Sequence, residues 1–454
     1  MDGMLTLDQV RDLAARGELD TVVVAIPDLY GRLVGKRFTA RFFIESAHEE
    51  THACDYLLAA DIEMEPVPGY QVASWDHGYG DFVMRPDLST MRLLPWLSGT
   101  ALVLADVLDH HHQPVAHSPR AILQRQVERL AELGFEARMA SELEFYLFTD
   151  SYEQAYAKGF RDLQTDGVYI EDYHVLATTR HEAVVGAMRQ GLEGAGIPVE
   201  NSKGEWGPGQ LELNVTYADP VTMADRHVIL KNAAKEIAGQ HDQAVTFMAK
   251  WRDDLAGSSC HVHCSVVDAA GDPVFLDSGA RHGLSATARQ WLAGQLAHTS
   301  ELTFFLAPFV NSYKRYVSGT FAPTTPVWSP DNRTAGFRLC AEGTPATRFE
   351  CRIGGADLNP YLAFAALLAA GIAGLEAELD LPDPHAGDAY TDTALPLLPA
   401  NLRQAGEALD GSSMLRAALG DGVVDHYVHM ARWEQAQHDR RVTDLDLRRG
   451  FEQA

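Results

Sequence analysis

Four segments of this chain alternate polar and apolar residues, and this pattern constrains the fold more than any other feature. The segments read SELEFYLF from Ser141, GQLELNV from Gly209, SCHVHCSV from Ser259 and TRFECRIGG from Thr347. Residues two apart in a β-strand point to the same face, so each segment has one apolar and one polar face. Many antiparallel sheets have one solvent-exposed polar face, so polarity alone means little. These polar faces, however, carry glutamate, histidine and arginine.

If the four strands share one sheet, their polar faces bring carboxylates, two imidazoles and several arginines into one cavity. Like charges that close together are tolerated only where cations neutralise them. A mixed set of glutamate and histidine suits Mg²⁺ or Mn²⁺ better than zinc, which more often uses cysteine. The arginines indicate a polyanion such as a nucleoside triphosphate. A single E-x-E or H-x-H strand is more often plain surface, so the prediction depends on all four occurring together.

Charge and cysteine content narrow the classes of function. The 454 residues include 63 acidic and 37 basic side chains, a net charge of −26 that disfavours binding to nucleic acids or anionic membranes. Five scattered cysteines without a CxxC pair are typical of reduced thiols. The N-terminus lacks the basic start and apolar run of a signal peptide, and the longest apolar stretch is too short to cross a bilayer. We therefore expect a soluble, cytoplasmic protein.

The chain divides near residue 110. Segment 21–38 reads as two strands joined by a turn, and short strands continue to about residue 106. A polar, proline-containing segment follows, in which Ser118 and Pro119 have the pattern of a helix start. Long helical segments and short strands then alternate. The sequence therefore predicts an α+β fold with a small domain over residues 1–110 and a large domain over residues 111–454.

Several motifs resemble one known family. The segments NSYKRYVSG, DNRTAGFR, FECR and NPYLAFAALLAAG, which begin at Asn311, Asp331, Phe349 and Asn359, resemble successive signatures of the glutamine synthetase superfamily. The segments SELEF, EWGPGQLE and GSSCHVHCS resemble that superfamily too, in the same order and spacing. The resemblance runs from about residue 20 to the C-terminus. Within the superfamily the chain is most similar to the γ-glutamyl-amine ligases, such as the γ-glutamylpolyamine and γ-glutamylethanolamide synthetases.

The resemblance implies a fold, an assembly and a set of ligands. It implies a small N-terminal β-grasp domain and a large catalytic domain whose antiparallel sheet lines the site. It implies a homo-oligomeric ring, paired into a dodecamer, with each active site between neighbouring subunits. The implied cofactors are ATP and two divalent metals per site, Mg²⁺ or Mn²⁺. The implied partners are L-glutamate and an amine, with no nucleic acid and no membrane.

The resemblance also assigns roles to individual residues. The ligands of the metal nearer glutamate match Glu144, Glu205 and Glu212, and those of the nucleotide-side metal match Glu142, His261 and Glu350. Positions that contact ATP match His263, Ser265, Arg333 and Arg338. Positions that bind glutamate match Gly257, Arg315, Arg333 and Arg352, and the resemblance gives Arg333 and Arg352 a part in catalysis as well.

The implied chemistry is ligation through an acyl phosphate. A carboxylate is a poor acylating group, so the γ-carboxylate of glutamate first attacks ATP and forms γ-glutamyl phosphate. Metals and arginines offset the charge on the transferring phosphoryl group. An amine then displaces phosphate, and it must lose a proton to do so. The products are a γ-glutamylamide, ADP and phosphate.

The sequence departs from the family in the flap that follows NSYKR. Glutamine synthetases carry there a glutamate that helps to bind and deprotonate ammonium, and the aligned residue here is Phe321, next to Thr320. An aromatic ring makes the pocket poorer for ammonium and roomier for carbon. We therefore expect an organic amine, either a polyamine or a small monoamine such as ethanolamine. Two alternatives stay open: a glutamine synthetase that uses ammonium, and a non-catalytic paralogue, which the complete set of metal ligands disfavours.

The carboxylate that deprotonates the amine has two candidates. The family supplies an aspartate from an N-terminal segment that reads CDYLLAADIEMEP here, so Asp55 is the nearest match and Asp61 the second. Glu63 belongs to an acidic run that fits either the distal charge of a diamine or a plain solvated loop. Tyr390 lies where some bacterial relatives are adenylylated, but the surrounding DAYTDT favours a packing role.

Overall fold

The computed structural model of the protein describes residues 3–74 and 78–454. Its N-terminal part is a mixed sheet preceded by a short helix. The first helix begins after Thr6 because Thr6 and Gln9 cap each other's backbone N–H groups. The regular elements of this part are α1 (Leu7–Ala15), β1 (Thr21–Pro27), β2 (Leu33–Thr39), α2 (Ala40–Phe42), β3 (Thr51–Cys54), β4 (Asp81–Pro86), β5 (Arg92–Leu93) and β6 (Thr100–Leu108).

The N-terminal strands lie in the order β2-β1-β6-β4-β3, with β5 paired to β6. The hairpin predicted over residues 21–38 is confirmed, because β1 and β2 pair antiparallel from Thr21–Thr39 to Pro27–Leu33. Strands β1 and β6 run parallel at the centre of the sheet, and β4 pairs antiparallel with both β6 and β3. A central parallel pair flanked by antiparallel strands is consistent with the predicted β-grasp domain.

The remaining strands form the sheet that carries the polar faces. They are β7 (Phe135–Phe148), β8 (Val199–Gly204), β9 (Gln210–Val215), β10 (Ala244–Thr246), β11 (Cys260–Asp268), β12 (Trp328–Pro330), β13 (Phe337–Cys340) and β14 (Arg348–Cys351). Their order is β12-β13-β14-β11-β7-β9-β8, with β10 paired to β7. The four segments singled out from the sequence are thus β14, β11, β7 and β9, four consecutive neighbours. Their pairing is antiparallel as predicted, and only the edge pair β12 and β13 is parallel.

The large part of the chain also contains twelve α-helices over its described residues 111–454. They are α3 (Pro119–Glu132), α4 (Tyr152–Ala157), α5 (Val175–Thr178), α6 (Glu182–Gly194), α7 (Pro220–Gln240), α8 (Ala286–Ala297), α9 (Thr299–Leu306), α10 (Pro360–Glu376), α11 (Leu402–Asp410), α12 (Ser413–Leu419), α13 (Asp421–Asp439) and α14 (Asp444–Gly450). Of these helices, α3 and α7 pack against the central strand β7. Fourteen residues of α10 are buried, so this helix is apolar all round. It approaches α8 so closely that a Cβ on Gly294 would lie 2.1 Å from the Ala370 carbonyl oxygen. Among the helices of the described segments, none is both long and apolar enough to cross a membrane.

A buried arginine joins the two parts of the chain. Arg120 lies in the first turn of α3, and its guanidinium bonds Asp87 and Asp106 from the N-terminal sheet and Asp225 from α7. Its Nη2 lies 2.8 Å from Asp87 and 3.1 Å from Asp225. The side chains of Arg120 and Asp225 are each 4% exposed, so neither charge has water as an alternative partner. The predicted division near residue 110 lies between β6 and α3, next to this junction.

We expect Arg120→Ala to lower the free energy of unfolding by roughly 3–5 kcal/mol, because the change leaves Asp225 buried without its cation. Arg129→Ala is the matched control on the same helix. Arg129 pairs with a half-exposed Glu376 at 3.4 Å, and exposed pairs contribute only about 0–1 kcal/mol. Chemical denaturation followed by circular dichroism measures both variants. Equal losses in the two variants would contradict the role given to Arg120.

Candidate active site

A cavity of about 450 Å³ lies over the polar face of the eight-stranded sheet. Most of the predicted site residues line it. They are Glu142, Glu144, Glu205, Glu212, Gly257, His261, Thr320, Phe321, Arg333, Arg338, Glu350 and Arg352. Strand register explains why they meet, since directly opposed side chains on one face of an antiparallel pair lie about 5 Å apart. Glu144 is opposite Glu212, and His261 is opposite Glu142.

The first carboxylate cluster consists of Glu144, Glu205 and Glu212. One carboxylate oxygen from each lies within 4.8 Å of the others. Glu144 is fixed in place by the backbone N–H of Ser259 at 2.8 Å and by the amide of Gln210 at 3.1 Å. Glu205 lies just after β8, in the turn that leads into β9. This arrangement offers three anionic oxygen ligands and no imidazole.

The pKa values of this first cluster are raised because burial and mutual repulsion disfavour the charged forms. Burial, then the charges of Glu205 and Glu212, raises the pKa of Glu144 well above its usual value. Burial and the charge of Glu212 raise the pKa of Glu205 to about 7. Burial and the charge of Glu142 raise the pKa of Glu212. A divalent cation would remove this repulsion, so the chemistry of the donors fits a hard metal ion.

Sequence reasoning missed Lys203, which supplies positive charge to the first cluster. Its ammonium bonds the carboxylate of Glu205, lies 3.5 Å from Asp172 and sits 4.5 Å above the ring of Tyr173. Burial opposes the charged form of Lys203, but the charges of Glu212 and Glu205 outweigh it and raise the pKa of the ammonium. Its position on β8, opposite Glu212, was the available signal.

The second cluster joins Glu142 and Glu350 to the two imidazoles of β11. His261 Nδ1 lies 2.9 Å from Glu142 and 3.5 Å from Glu350, and His263 Nε2 lies 2.8 Å from Glu142. The three residues whose ligand atoms all lie within 4.8 Å are Glu142, His263 and Glu350. His263 is thus as well placed as the predicted His261 to bind a metal here. The Nε2 atom of His261 is buried and has no protein partner within the described residues.

Charges around the second cluster differ from those around the first. Burial disfavours the charged form of Glu350, but Arg352 and the imidazoles outweigh it and lower its pKa to about 2. Burial likewise opposes ionisation of Glu142, yet its hydrogen bonds to His261 and His263 hold its pKa well below the usual range. Burial, with the charge of Arg352, lowers the pKa of His261, which favours the neutral form that binds a metal.

Three arginines border the second cluster. Arg352 bonds Glu350 directly, and Arg338 bonds both Glu350 at 2.9 Å and Asp331. Arg333 is exposed at the rim of the cavity. One planar guanidinium can donate two parallel hydrogen bonds to two oxygens of a phosphate. A rim with three such groups therefore suits a polyphosphate.

The flap residue Phe321 reaches the cavity. Its backbone φ is +60°, and its carbonyl accepts a hydrogen bond from Arg352 Nη2 at 3.3 Å. Its ring packs edge-on against Trp206, with the ring centroids 5.7 Å apart. Each of the two side chains is about half exposed, at 47% and 48%. Sequence reasoning missed Trp206, although it lies inside EWGPGQLE, between two metal-ligand positions.

Comparisons with known proteins agree with this geometry. The family of glutamine synthetase catalytic domains matches residues 116–450. The chain belongs to the glutamine synthetase family. One relative is the γ-glutamylethanolamide synthetase GlnA4 of Streptomyces coelicolor, 46% identical over 99% of this chain and 96% of its own. Another is the glutamate–isopropylamine ligase of a Pseudomonas species, 36% identical over 97% of each chain. The solved structure titled GmaS/ADP complex is 28% identical, with a TM-score of 0.85 over 98% of this chain and 99% of its own.

Some predicted site residues of this glutamine synthetase family member lie outside the cavity. His263 and Ser265 continue along β11 beyond His261 and do not line it, so their contact with ATP stays a prediction. Arg315 is 1% exposed, and its guanidinium is spent on Ser259 Oγ at 3.0 Å and on the carbonyls of residues 352–354. Arg315 therefore braces the cavity wall from behind, its buried Nε has no partner within the described residues, and its contact with glutamate stays a prediction.

The N-terminal acids also lie away from the cavity of their own chain. Asp61 accepts hydrogen bonds from the N–H groups of Glu63 and Glu65 and from Trp433 Nε1, so its carboxylate holds a loop against α13. The part of Asp61 in amine deprotonation stays a prediction. Glu63 is exposed on the same loop, 3.8 Å from Arg441. Asp55, just after β3, is the other candidate and the nearer match to the family's aspartate.

Tyr390 contacts the flap. Its hydroxyl donates to the Ala322 carbonyl at 3.0 Å, one residue beyond Phe321. The ring is partly buried, and burial raises the pKa of the hydroxyl. This geometry agrees with the packing role that the sequence favoured.

The raised carboxylate pKa values predict how pH acts on the metal-free protein. A carboxyl group with a higher pKa in the folded than in the unfolded chain stabilises the fold only while it is protonated. As pH rises from about 4.5 through the folded pKa of Glu205 near 7, that stabilisation is lost. We expect the unfolding temperature in EDTA to fall over this range, and the increase on adding Mg²⁺ to be larger at pH 8 than at pH 5.5.

Differential scanning fluorimetry at both pH values measures this effect. Glu212→Gln is the test variant, because it removes one charge from the cluster with little change in shape. It should flatten the pH dependence in EDTA and reduce the stabilisation by Mg²⁺. An increase on adding Mg²⁺ that is independent of pH would show that the first cluster does not bind the metal.

Proposed function

We propose that this protein joins the γ-carboxylate of L-glutamate to a small organic amine, with ATP as the phosphoryl donor and γ-glutamyl phosphate as the intermediate. One observation carries the proposal. A cavity lined by two ligand clusters and three arginines has the aromatic pair Trp206 and Phe321 on its remaining side. The clusters suit phosphoryl transfer, and the aromatic side suits a nucleophile that carries carbon.

The two clusters are proposed to hold one divalent cation each, Mg²⁺ or Mn²⁺. Glu144, Glu205 and Glu212 would hold the first, and Glu142 and Glu350 with His261 or His263 would hold the second. When bound, the cations supply charge neutralisation at the phosphoryl oxygens. A protein cation already pairs with a carboxylate at each cluster, Lys203 with Glu205 at the first and Arg352 with Glu350 at the second.

The arginines are proposed to orient the reactants. Arg333 and Arg338 stand at the rim, where the polyphosphate of ATP would lie. Arg352 bonds both Glu350 and the backbone carbonyl of Phe321, so it contacts the second cluster and the flap at once. Positive groups fixed in advance stabilise charge on a transferring phosphoryl group without reorganising during the reaction. Gly257 lines the cavity and is proposed to contact glutamate, and any larger residue there would collide with Arg315 and the Ala249 carbonyl in the cavity wall.

The acid–base step is proposed to involve a second subunit. Asp55 does not line the cavity of its own chain, so it can act on the amine only when a neighbour presents it. This requirement supports a homo-oligomeric ring with sites between subunits, which we propose to be a dodecamer. We also propose a cytoplasmic location, since the five cysteines are free thiols.

A small monoamine is favoured over a polyamine. Trp206 and Phe321 give the flap side of the cavity an apolar surface, which suits the short carbon chain of a monoamine. The relatives named for ethanolamide synthesis and for isopropylamine ligation point the same way. Thr320 does not add a free polar group, because its hydroxyl bonds the Val317 carbonyl. Ethanolamine is the first amine to test.

An amine panel tests the reaction. We expect ATP-dependent phosphate release with L-glutamate and Mg²⁺ to be faster with ethanolamine and other short primary amines than with ammonium or putrescine. Glu212→Ala should lower turnover by more than about a hundredfold, because it removes a metal ligand outright. Mass spectrometry of the γ-glutamylamide confirms coupling. Ammonium as the best substrate would replace the proposal with glutamine synthesis, and no product with any amine would favour a non-catalytic paralogue.

The flap residue can be tested separately. Phe321→Glu places a carboxylate where the ring now faces the cavity. Neither residue is branched at Cβ, so the positive φ at this position should accept the change. We expect the kcat/KM ratio of ammonium to ethanolamine to rise by roughly tenfold or more, the equivalent of about 1.4 kcal/mol. Phe321→Leu is the matched control, since it stays apolar and should leave the ratio nearly unchanged. A ratio that does not differ between the two variants would remove Phe321 from amine selection.

A further inference from the structure

A second cavity, larger than the catalytic one, lies on another side of the chain. Its volume is about 720 Å³, and it shares no lining residue with the catalytic cavity. Its walls come from the turn after β1, from α7, from β10 and from residues 309–314. Sites that hold a small molecule usually enclose 300–1,000 Å³.

Lysine is concentrated in this second cavity. The whole chain has only seven lysines, since arginine supplies most of its cations, yet Lys231, Lys235 and Lys314 all line this one space. Lys231 donates to the Ala356 carbonyl at 2.8 Å. Within residues 3–74 and 78–454, no carboxylate lies within 4.0 Å of any of the three ammonium groups, although the chain carries an excess of acid. Three cations without an anionic partner indicate a missing anion.

The carboxylates that line the same cavity make no ion pair with these lysines. Asp357 is held by the Ser312 hydroxyl at 2.7 Å, and burial raises its pKa, although the charge of Lys231 opposes that rise. Burial and the charges of Asp61 and Glu63 raise the pKa of Glu434. Arg32, the fourth cation, is already paired with Asp28 at 2.7 Å. The three lysine amines are therefore left open to an anionic ligand.

Aromatic rings form the apolar part of the lining. Tyr30 and Phe309 are stacked, with centroids 5.5 Å apart and ring planes 16° apart. Phe247 lies beneath Lys231 and Lys235, at 5.4 and 6.0 Å from their nitrogens. A ligand with a planar ring can lie against such faces while its anionic group reaches the ammonium groups. Lysine, a compact point charge, is a common partner of phosphate.

We propose that this second cavity is a non-catalytic site for a phosphorylated small molecule with a planar ring, of the nucleoside phosphate class. The phosphate lies among Lys231, Lys235 and Lys314, and the ring lies against Phe247 and Phe309. Lys314 directly precedes Arg315, which braces the wall of the catalytic cavity, so the two cavities adjoin the same short segment. The proposal does not depend on which amine the catalytic site uses.

Pyridoxal phosphate is a direct probe, because it carries a phosphate and a planar ring, and its aldehyde condenses with an unprotonated lysine amine and releases water. Burial lowers the pKa of Lys231 to about 8, which favours this reaction near neutral pH. We expect borohydride reduction followed by peptide mapping to find the label mainly on Lys231, Lys235 or Lys314, and an excess of AMP to reduce labelling there severalfold. Label confined to Lys203 would place the probe in the catalytic cavity and would overturn the proposal. Labelling of the three lysines that AMP does not reduce would overturn it as well.

Charge reversal gives a second measurement. Lys235 and Lys314 are exposed, so Lys235→Glu with Lys314→Glu should leave the fold intact, which circular dichroism checks. We expect the double variant to weaken AMP binding at this cavity by roughly tenfold or more, because charge-assisted hydrogen bonds are the strong ones. The matched control is Arg37→Glu with Arg448→Glu, two exposed residues outside the cavity. AMP binding is measured by equilibrium dialysis, and equal binding in both double variants would overturn the proposal. Oligomer dissociation in the lysine variant alone would also overturn it, because this face would then be a subunit contact.

Discussion

Repulsion between carboxylates at the centre of one sheet governs the rest of this structure. Antiparallel register sets Glu144 opposite Glu212 and Glu350 opposite His263, so the acidic groups are held together by backbone pairing and cannot move apart. The protein meets the repulsion differently at its two clusters. The second cluster has arginines and imidazoles close by, and its carboxylates ionise readily. The first has Lys203 beside it and Arg315 behind it, but burial and mutual repulsion still raise the pKa values of its carboxylates.

The catalytic cavity has a charged side and an apolar side. Charged groups on the sheet face and the arginine rim suit an anionic phosphoryl group, whereas Trp206 and Phe321 offer only apolar surface and a ring face. Arg352 connects these sides, because it bonds Glu350 through one nitrogen and the flap carbonyl through another. Arg352 therefore joins the flap backbone to the second cluster. The bond uses the backbone carbonyl of Phe321, so a change in the Phe321 side chain can alter the choice of amine and leave the metal ligands in place.

Arginine and lysine have separate tasks in this chain. Arginine makes the buried structural links, as Arg120 does across the two sheets and Arg315 does behind the cavity wall. Four of the seven lysines line one of these two cavities, Lys203 the catalytic one and Lys231, Lys235 and Lys314 the second. A guanidinium carries five donors in a fixed plane and can satisfy several carbonyls at once, which suits burial. An ammonium is a compact charge that a ligand can approach from many directions.

The sequence by itself determined the strands and their polar faces, because alternation has a period of two and needs no tertiary information. The metal ligands were assigned by resemblance to the family, and that assignment stays a prediction. The adjacency of those strands followed from the family resemblance, and the structure bore it out. Only the tertiary structure decided which residues reach the cavity. Arg315 carries the right chemistry, but carbonyls almost forty residues away in sequence bond its guanidinium. Asp61 is bonded both by N–H groups of its own loop and by the distant Trp433. Lys203 and Trp206 flank Glu205 in the sequence, whereas the lysine cavity depends on contacts between distant segments, which local periodicity does not encode.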